Sequence, residues 1–125
     1  MEWKLELVLV PVSDVDRAKS FYADQVGFNV DHDQTVSRDL RFVQLTPRGS
    51  ACSIAVGKGI TSGVPGSVAG LQLVVADIEQ AHAELSSRGV PVSNIDDQAW
   101  GRFVYFSDPD GNTWSVQQLP RRAAA

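Results

Sequence analysis

The hydrophobic and polar positions of this chain follow one pattern twice. Apolar residues alternate with polar ones around Leu5, Leu7 and Leu9, which predicts a strand over residues 3–11. A second strand is predicted over residues 69–76. Each strand meets an aspartate, helical spacing of apolar residues follows, and a glycine ends the helix. The duplicated unit predicts two similar half-sheets that face each other across a cavity.

The remaining elements complete each half in the same order. Ser13 begins the first helix, where its hydroxyl can cap the free amides. Three strands are predicted after it, over about 28–34, 38–46 and 51–57. The second half has a helix over 77–88 and strands near 91–95, 101–107 and 112–119. The glycine- and serine-rich stretch from Gly57 to Ser67 lacks the Gly-Lys-Ser/Thr sequence of a phosphate loop, so we interpret it as a linker.

The composition of the chain excludes several classes of function. The 125 residues predict one domain, and the net charge of -4 argues against a nucleic-acid partner, which requires excess Lys and Arg. Cys52 is the only cysteine, so neither an intrachain disulfide nor a cysteine zinc site is possible, and a cytoplasmic setting is the simple interpretation. No apolar run is long enough for a membrane span. Residues 120–125 are predicted to be a loose tail.

Two segments carry a family resemblance. The helix-opening segment at 11–22 (PVSDVDRAKSFY) and the turn at 106–112 (FSDPDGN) together resemble the vicinal oxygen chelate superfamily, which contains glyoxalase I, extradiol dioxygenases and the bleomycin and fosfomycin resistance proteins. The resemblance covers residues 3–119 and implies an α+β fold of two tandem strand–helix–three-strand (βαβββ) modules that form a curved mixed sheet around a cavity, with the helices outside. Module one then spans about 3–57, the linker 58–68 and module two 69–119. Both motifs are structural, so they indicate the fold more strongly than the activity.

The metal enzymes of that superfamily hold their ion with His, Gln or Glu at four strand positions. The resemblance places these positions at Leu7, at Gly70, at Ala55 or Ser53, and at Ser115. None of these side chains is a credible ligand for a divalent metal. We therefore expect no metal and no cofactor.

The two histidines do not supply the missing ligands. His32 lies between Asp31 and Asp33, but neighbouring strand residues point to opposite faces, so a solvated strand end is the preferred interpretation. His82 is expected on the surface of the second helix. Cys52 has no histidine within a few residues to activate it, which argues against a nucleophilic role.

Without a metal, the predicted cavity becomes an apolar binding site with a few polar groups. Strand alternation and the resemblance select its candidate ligand-binding residues, which are Leu7, Ser53, Ala55, Gly70, Gln72, Trp100, Arg102, Tyr105, Ser115 and Gln117. Trp100 could stack on a ligand or pack in the core, and Arg102 could pair with an anion or lie on the surface. Trp114 adjoins Ser115 and is expected to face the helix side.

The leading hypothesis is a metal-free protein that binds or sequesters an apolar or aromatic compound, similar to the bleomycin-resistance branch. The alternative is a glyoxalase- or dioxygenase-like lyase or isomerase, with unusual metal ligands or with Glu6, Asp33 or Tyr105 as acid or base. A third possibility is an accessory protein whose cavity is filled by its own side chains. The resemblance also implies a homodimer, and we expect neither nucleic-acid nor membrane partners.

Overall fold

A computed structural model describes residues 1–120, so most of the predicted tail, residues 121–125, lies outside the described part of the chain. The strands are β1 (Leu7–Leu9), β2 (Asn29–Ser37), β3 (Leu40–Thr46), β4 (Ser53–Lys58), β5 (Leu71–Val74), β6 (Asp96–Gln98), β7 (Gly101–Ser107) and β8 (Thr113–Gln118). The helices are α1 (Val15–Ser20), which continues as a π-helix over Phe21–Val26, and α2 (Ile78–Ser87). Within residues 1–120, no helix has the length and apolar character needed to cross a bilayer.

Each half of the chain forms a four-stranded mixed sheet. The strand orders are β1-β4-β3-β2 and β5-β8-β7-β6, and in both sheets the first pair is parallel while the other two are antiparallel. The prediction of two βαβββ modules is therefore confirmed. The described residues divide into two compact units, one with residues 1–68 and 108–112, the other with residues 69–107 and 113–120.

The first helix starts one residue later than the sequence predicts. Asp14, not Ser13, is the N-cap, and its carboxylate accepts a hydrogen bond from the Arg17 amide. Ser13 instead donates its hydroxyl to Asp110 at 2.6 Å. The π-helical turns bury Phe21 and Tyr22, and Gly27 ends them at φ 96°, a left-handed conformation that favours glycine.

Several boundaries also differ from the prediction. The strand predicted over 3–11 is regular only at Leu7–Leu9, and β5 covers only Leu71–Val74 of the predicted 69–76. The strand predicted near 91–95 is wrong, because β6 lies at Asp96–Gln98. β2 extends to Ser37, so His32 lies within the strand and not near its end. The alternation of polar and apolar residues cannot locate the ends of a strand, because these ends depend on the backbone hydrogen bonds to the neighbouring strand.

The first sheet packs its apolar face beneath α1, with Val43, Leu45, Ile54 and Val56 buried. At the margin of that face, Arg41 donates to Asp33 at 2.9 Å and to Asp16 of α1 at 2.7 Å. Lys19 of α1 donates to the same Asp33 carboxylate at 2.7 Å. These hydrogen bonds, and the positive charge of both partners, hold the pKa of Asp33 well below its usual range.

Replacement of Asp33 by asparagine is expected to lower the free energy of unfolding by about 1–2 kcal/mol at pH 7, because Lys19 of this half-buried cluster loses its carboxylate partner and Arg41 is left with Asp16. A lowered folded-state pKa stabilises the native state above the unfolded-state value of about 3.9. The difference between wild type and variant should therefore be constant above pH 5 and shrink as the pH falls towards the depressed pKa. Urea unfolding at several pH values measures it. The exposed Asp24→Asn is the matched control, and an unchanged difference at pH 3 would contradict the assignment.

The turn at Asp108–Asn112 forms the polar centre of the first unit. The buried Asp108 carboxylate accepts hydrogen bonds from the Tyr22 hydroxyl at 2.8 Å, from the Asn112 side chain at 2.7 Å and from the backbone amides of Asp110 and Asn112. Four donors satisfy the buried charge. The prediction that this segment is a turn and not a calcium loop agrees with this use of its carboxylate.

The second unit packs α2 on its sheet. The Gln118 side chain accepts from the Ile78 amide at 2.9 Å, and Arg102 lies 3.6 Å from Glu79 of α2. Trp114 is buried and stacks on Phe106 with ring centroids 5.9 Å apart. Because paired residues share a face, these contacts identify the helix-covered face of the sheet. The opposite face of each sheet is called its open face below.

Candidate functional site

The open face of the first sheet follows from the strand registers. Leu7 lies opposite Ser53, and Gln44 lies opposite Ala55. The residues next to them in each strand belong to the helix-covered core, and successive strand residues point to opposite faces. Leu7, Ser53 and Ala55 therefore share the open face. Leu7 is half-buried there, while Ser53 and Ala55 are 5% and 0% exposed.

Ser53 lies within a cluster of polar side chains that was not predicted from the sequence. The Ser53 hydroxyl lies 2.6 Å from the Thr46 hydroxyl and accepts from the Gln44 amide at 3.2 Å. Thr46 also donates to Asp31, which accepts from Asn29 at 2.9 Å. These hydrogen bonds hold the pKa of Asp31 below its ordinary value. The sequence did hold a signal for this cluster. Every second residue of β3 faces the same side of the sheet as Ser53, so strand alternation could have added Gln44 and Thr46 to the predicted site.

The open face of the second sheet carries four of the predicted residues. Gln72 and Tyr105 both lie opposite Ser115, one on each side of β8. Gln117 lies opposite Phe103 on the same face. Gln72 and Tyr105 are exposed, whereas Gln117 is 9% exposed. The sequence prediction of this set is therefore consistent with the strand register.

A chain of side-chain hydrogen bonds links the polar groups of this face. Gln117 Nε2 donates to the Trp100 carbonyl at 2.8 Å, and Gln72 Nε2 donates to Gln117 Oε1 at 2.6 Å. The Ser115 hydroxyl donates to Gln72 Oε1 at 3.2 Å. A backbone carbonyl can only accept, so it determines the direction of every bond in the chain.

Tyr105 adds an exposed aromatic surface next to this chain. Its ring stacks with that of Phe103, with centroids 6.1 Å apart and planes 5° apart. Its hydroxyl donates to Asp96 at 2.7 Å, and this bond raises the pKa of Tyr105 while it lowers the pKa of Asp96. A phenol with a raised pKa, already bonded to a carboxylate, is a poor general acid near neutrality. The aromatic face of Tyr105 remains suited to stacking.

The other predicted residues of this module occupy different places. Trp100 is 62% exposed in the turn before β7, and its carbonyl anchors Gln117. Gly70 precedes β5 with φ 85° and open space where a Cβ would lie. Arg102 pairs with Gln118 in register and therefore lies on the helix-covered face, where it donates to Asp97 at 2.7 Å. The structure thus separates Arg102 from the open-face residues.

The donor set of these faces does not fit a metal ion. At the four positions implied by the resemblance, Leu7, Gly70 and Ala55 offer no donor atom, and the hydroxyls of Ser53 and Ser115 are weak ligands. Among the residues from 1 to 120, no three His, Cys, Asp or Glu side chains are grouped so as to hold a metal.

The histidine-containing triplet is divided between two faces. The exposed His32 lies opposite Gln44 on the open face of the first sheet. Asp33 lies opposite Val43 and engages Lys19 and Arg41 on the helix side. The structure thus agrees with the prediction that the triplet does not converge.

A separate groove of about 540 Å³ lies in the first unit, beside the start of α1. It is lined by Pro11–Val15, by the glycines and Lys58 of the segment 57–59, and by Thr61, Gly63 and Pro65. None of the predicted site residues borders it. Lys58, its cationic residue, already donates to the Arg38 carbonyl at 2.9 Å. The open faces therefore remain the better candidate site.

Two tandem βαβββ modules, each with a helix on one face of its sheet, are the fold of the vicinal oxygen chelate class. The chain belongs to the glyoxalase/bleomycin resistance protein/dioxygenase superfamily, whose model matches residues 4–116.

Solved structures and a curated relative support this membership. TnmS3, an antibiotic binding protein from Streptomyces sp. CB03234, is 37% identical, with a TM-score of 0.86 over 95% of this chain and 98% of that chain. A glyoxalase/bleomycin resistance protein of the same organism is 38% identical, with a TM-score of 0.81 over 92% of this chain and 100% of that chain. The protein YetH of Bacillus subtilis (strain 168) is 26% identical over 113 residues, which are 89% of this chain and 94% of that protein.

Proposed function

We propose that this protein binds and sequesters an apolar or aromatic organic compound, of the kind represented by antibiotics, without a metal ion and without chemical change. The observation that carries the proposal is the open face of the second sheet. It presents the exposed ring of Tyr105 and the exposed carboxamide of Gln72, one on each side of Ser115, and the exposed Trp100 lies in the turn whose carbonyl binds Gln117 of the same face. Aromatic area with a few directed polar groups is the usual composition of a small-molecule site.

The metal positions support the same proposal. An enzyme of the glyoxalase or dioxygenase type needs ligands that can hold a divalent ion, and Leu7, Gly70 and Ser115 stand at implied ligand positions. On the first sheet, the half-buried Leu7 is the aliphatic residue at such a position. The resemblance to TnmS3, described as an antibiotic binding protein, favours ligands of that general kind.

Replacement of Trp100 by alanine is expected to weaken binding of a planar aromatic antibiotic at least fivefold, because an exposed indole loses its stacking surface. The ligand is chosen from a panel of such antibiotics by quenching of tryptophan fluorescence, and calorimetry measures affinity. Leu119→Ala, which removes another exposed apolar side chain of the same unit, is the matched control and should change affinity less than twofold.

Two results would overturn the proposal. One is a panel in which no compound quenches fluorescence or raises the melting temperature. The other is stoichiometric nickel, zinc, iron or manganese in protein purified without chelator, which would favour the enzyme. Recovery of the ligand with unchanged mass after incubation supports sequestration over catalysis.

We also infer that the chain forms a homodimer. β1 and β5 are edge strands of their sheets, and Trp3, Leu5 and Val74 beside them are 88%, 71% and 64% exposed. Apolar side chains at strand edges are commonly covered by a second copy. Light scattering coupled to gel filtration tests this inference, and a mass of one chain at micromolar concentration would contradict it.

A further inference from the structure

The hydrogen-bond chain on the open face of the second sheet has a defined polarity. The Trp100 carbonyl can only accept, so the Gln117 amide nitrogen must face it, and Gln117 Oε1 must face Gln72. This bond requires the nitrogen of Gln72, which directs Gln72 Oε1 towards Ser115. The exposed carboxamide of Gln72 is therefore held in one of its two orientations by a buried neighbour.

This orientation determines what the face can offer a ligand. Gln72 Nε2 has two hydrogens, one of which is used by Gln117, and Gln72 Oε1 has a second lone pair besides the one used by Ser115. Ser115 spends its single hydrogen on Gln72 and cannot donate it to a ligand. The Tyr105 hydroxyl spends its hydrogen on Asp96 in the same way. The exposed Gln72 amide is thus the group that presents a donor and an acceptor together.

We propose that Gln72, held in place by Gln117 and the Trp100 carbonyl, selects planar ligands that carry a hydrogen-bond donor and an acceptor side by side on one ring edge, as a lactam or cyclic imide does. A carboxamide pairs with such an edge through two parallel hydrogen bonds, as Gln and Asn side chains pair with the edge of adenine. The exposed aromatic ring of Tyr105, which lies on the same face, supplies the apolar contact. This inference rests on the proposed binding function and specifies the chemistry of its ligand.

Two probes of equal shape test the inference. In 2-quinolone a ring N–H adjoins the carbonyl, and in coumarin a ring oxygen replaces that N–H. The wild-type protein is expected to bind 2-quinolone about tenfold more tightly, because the coumarin oxygen leaves Gln72 Oε1 without a donor and repels it. Ligand-observed NMR or calorimetry measures both dissociation constants.

Three variants test whether the preference for 2-quinolone over coumarin depends on the hydrogen bonds of Gln72 or on a general effect of substitution. Gln72→Leu should retain coumarin affinity within twofold and lose the preference for 2-quinolone. Gln117→Leu should reduce the preference as well, because Gln72 is then free to turn over. Gln117 is a positioning residue, so its test is the ratio of the two affinities. Gln80→Leu, on the exposed face of α2, is the matched control and should keep the tenfold ratio.

Each outcome is informative. Equal affinity of the wild type for both probes, or a preference that survives Gln72→Leu, overturns the inference while aromatic binding stands. Binding of panel antibiotics with no binding of either probe also overturns it. If neither the probes nor the panel bind, the proposed function itself fails. The inference is supported if the wild type prefers 2-quinolone tenfold, if Gln72→Leu loses this preference and Gln117→Leu reduces it, and if Gln80→Leu keeps it.

Discussion

Replacement of Asn112 by alanine is expected to lower the free energy of unfolding by about 3–5 kcal/mol, the largest effect of any substitution considered. Asn112 is 0% exposed. Its Nδ2 donates to the Pro11 carbonyl at 2.9 Å and to the Asp108 carboxylate at 2.7 Å, and its Oδ1 accepts from the Val68 amide at 3.0 Å. Alanine would leave the buried Pro11 carbonyl, the buried Asp108 carboxylate and the part-buried Val68 amide each short of one partner, and the carboxylate is charged.

The midpoint of urea unfolding, followed by circular dichroism, measures this loss. Asn94→Ala is the matched control, because Asn94 is exposed and its replacement should change stability by less than about 0.5 kcal/mol. A loss below about 1 kcal/mol for Asn112→Ala would show that water replaces the missing side chain. It would contradict the role assigned to this network.

Replacement of Gly66 by alanine is expected to destabilise the protein by about 2–4 kcal/mol. Gly66 has φ 82°, and a Cβ built there would lie closer to the Asp110 carbonyl oxygen than any side chain tolerates. Both the left-handed backbone and the contact with rigid backbone oppose a side chain. The glycine-rich segment is thus explained by close packing and does not require a phosphate ligand.

Gly49 supplies a control that isolates the steric part of this effect. Its φ of 83° is nearly the same, but nothing lies within 4 Å of the position of a Cβ. Gly49→Ala should therefore cost about 1 kcal/mol, the conformational part alone. Chemical unfolding of the two variants compares them directly. Equal losses would mean that the Gly66 loop moves away from Asp110 at little cost.

The motif of the turn at 106–112 illustrates how far sequence reasoning extends. Asp108, Pro109 and Gly111 predict a tight turn, since each residue type suits a turn position. That Asp108 also receives the Tyr22 hydroxyl, 86 residues away in sequence, could not be predicted. The partner of a buried carboxylate depends on chain segments that meet only in the folded protein.

The candidate site shows the same division. Alternation within each strand correctly grouped Gln72 with Ser115 and Gln117, because the period of two is a local property of extended backbone. Arg102 was selected from the family resemblance and not from alternation, and the strand register places it on the other face.

By itself, the sequence determined the two βαβββ modules, the helix-ending glycines and the lack of strong metal ligands at the implied positions. These properties are set by residue type and short-range periodicity. Only the tertiary structure decided the direction of the hydrogen-bond chain from Ser115 to Trp100, the burial of Asn112 and the ion pairs of Asp33. Each of these depends on contacts between segments distant in sequence, and such contacts exist only once the chain has folded.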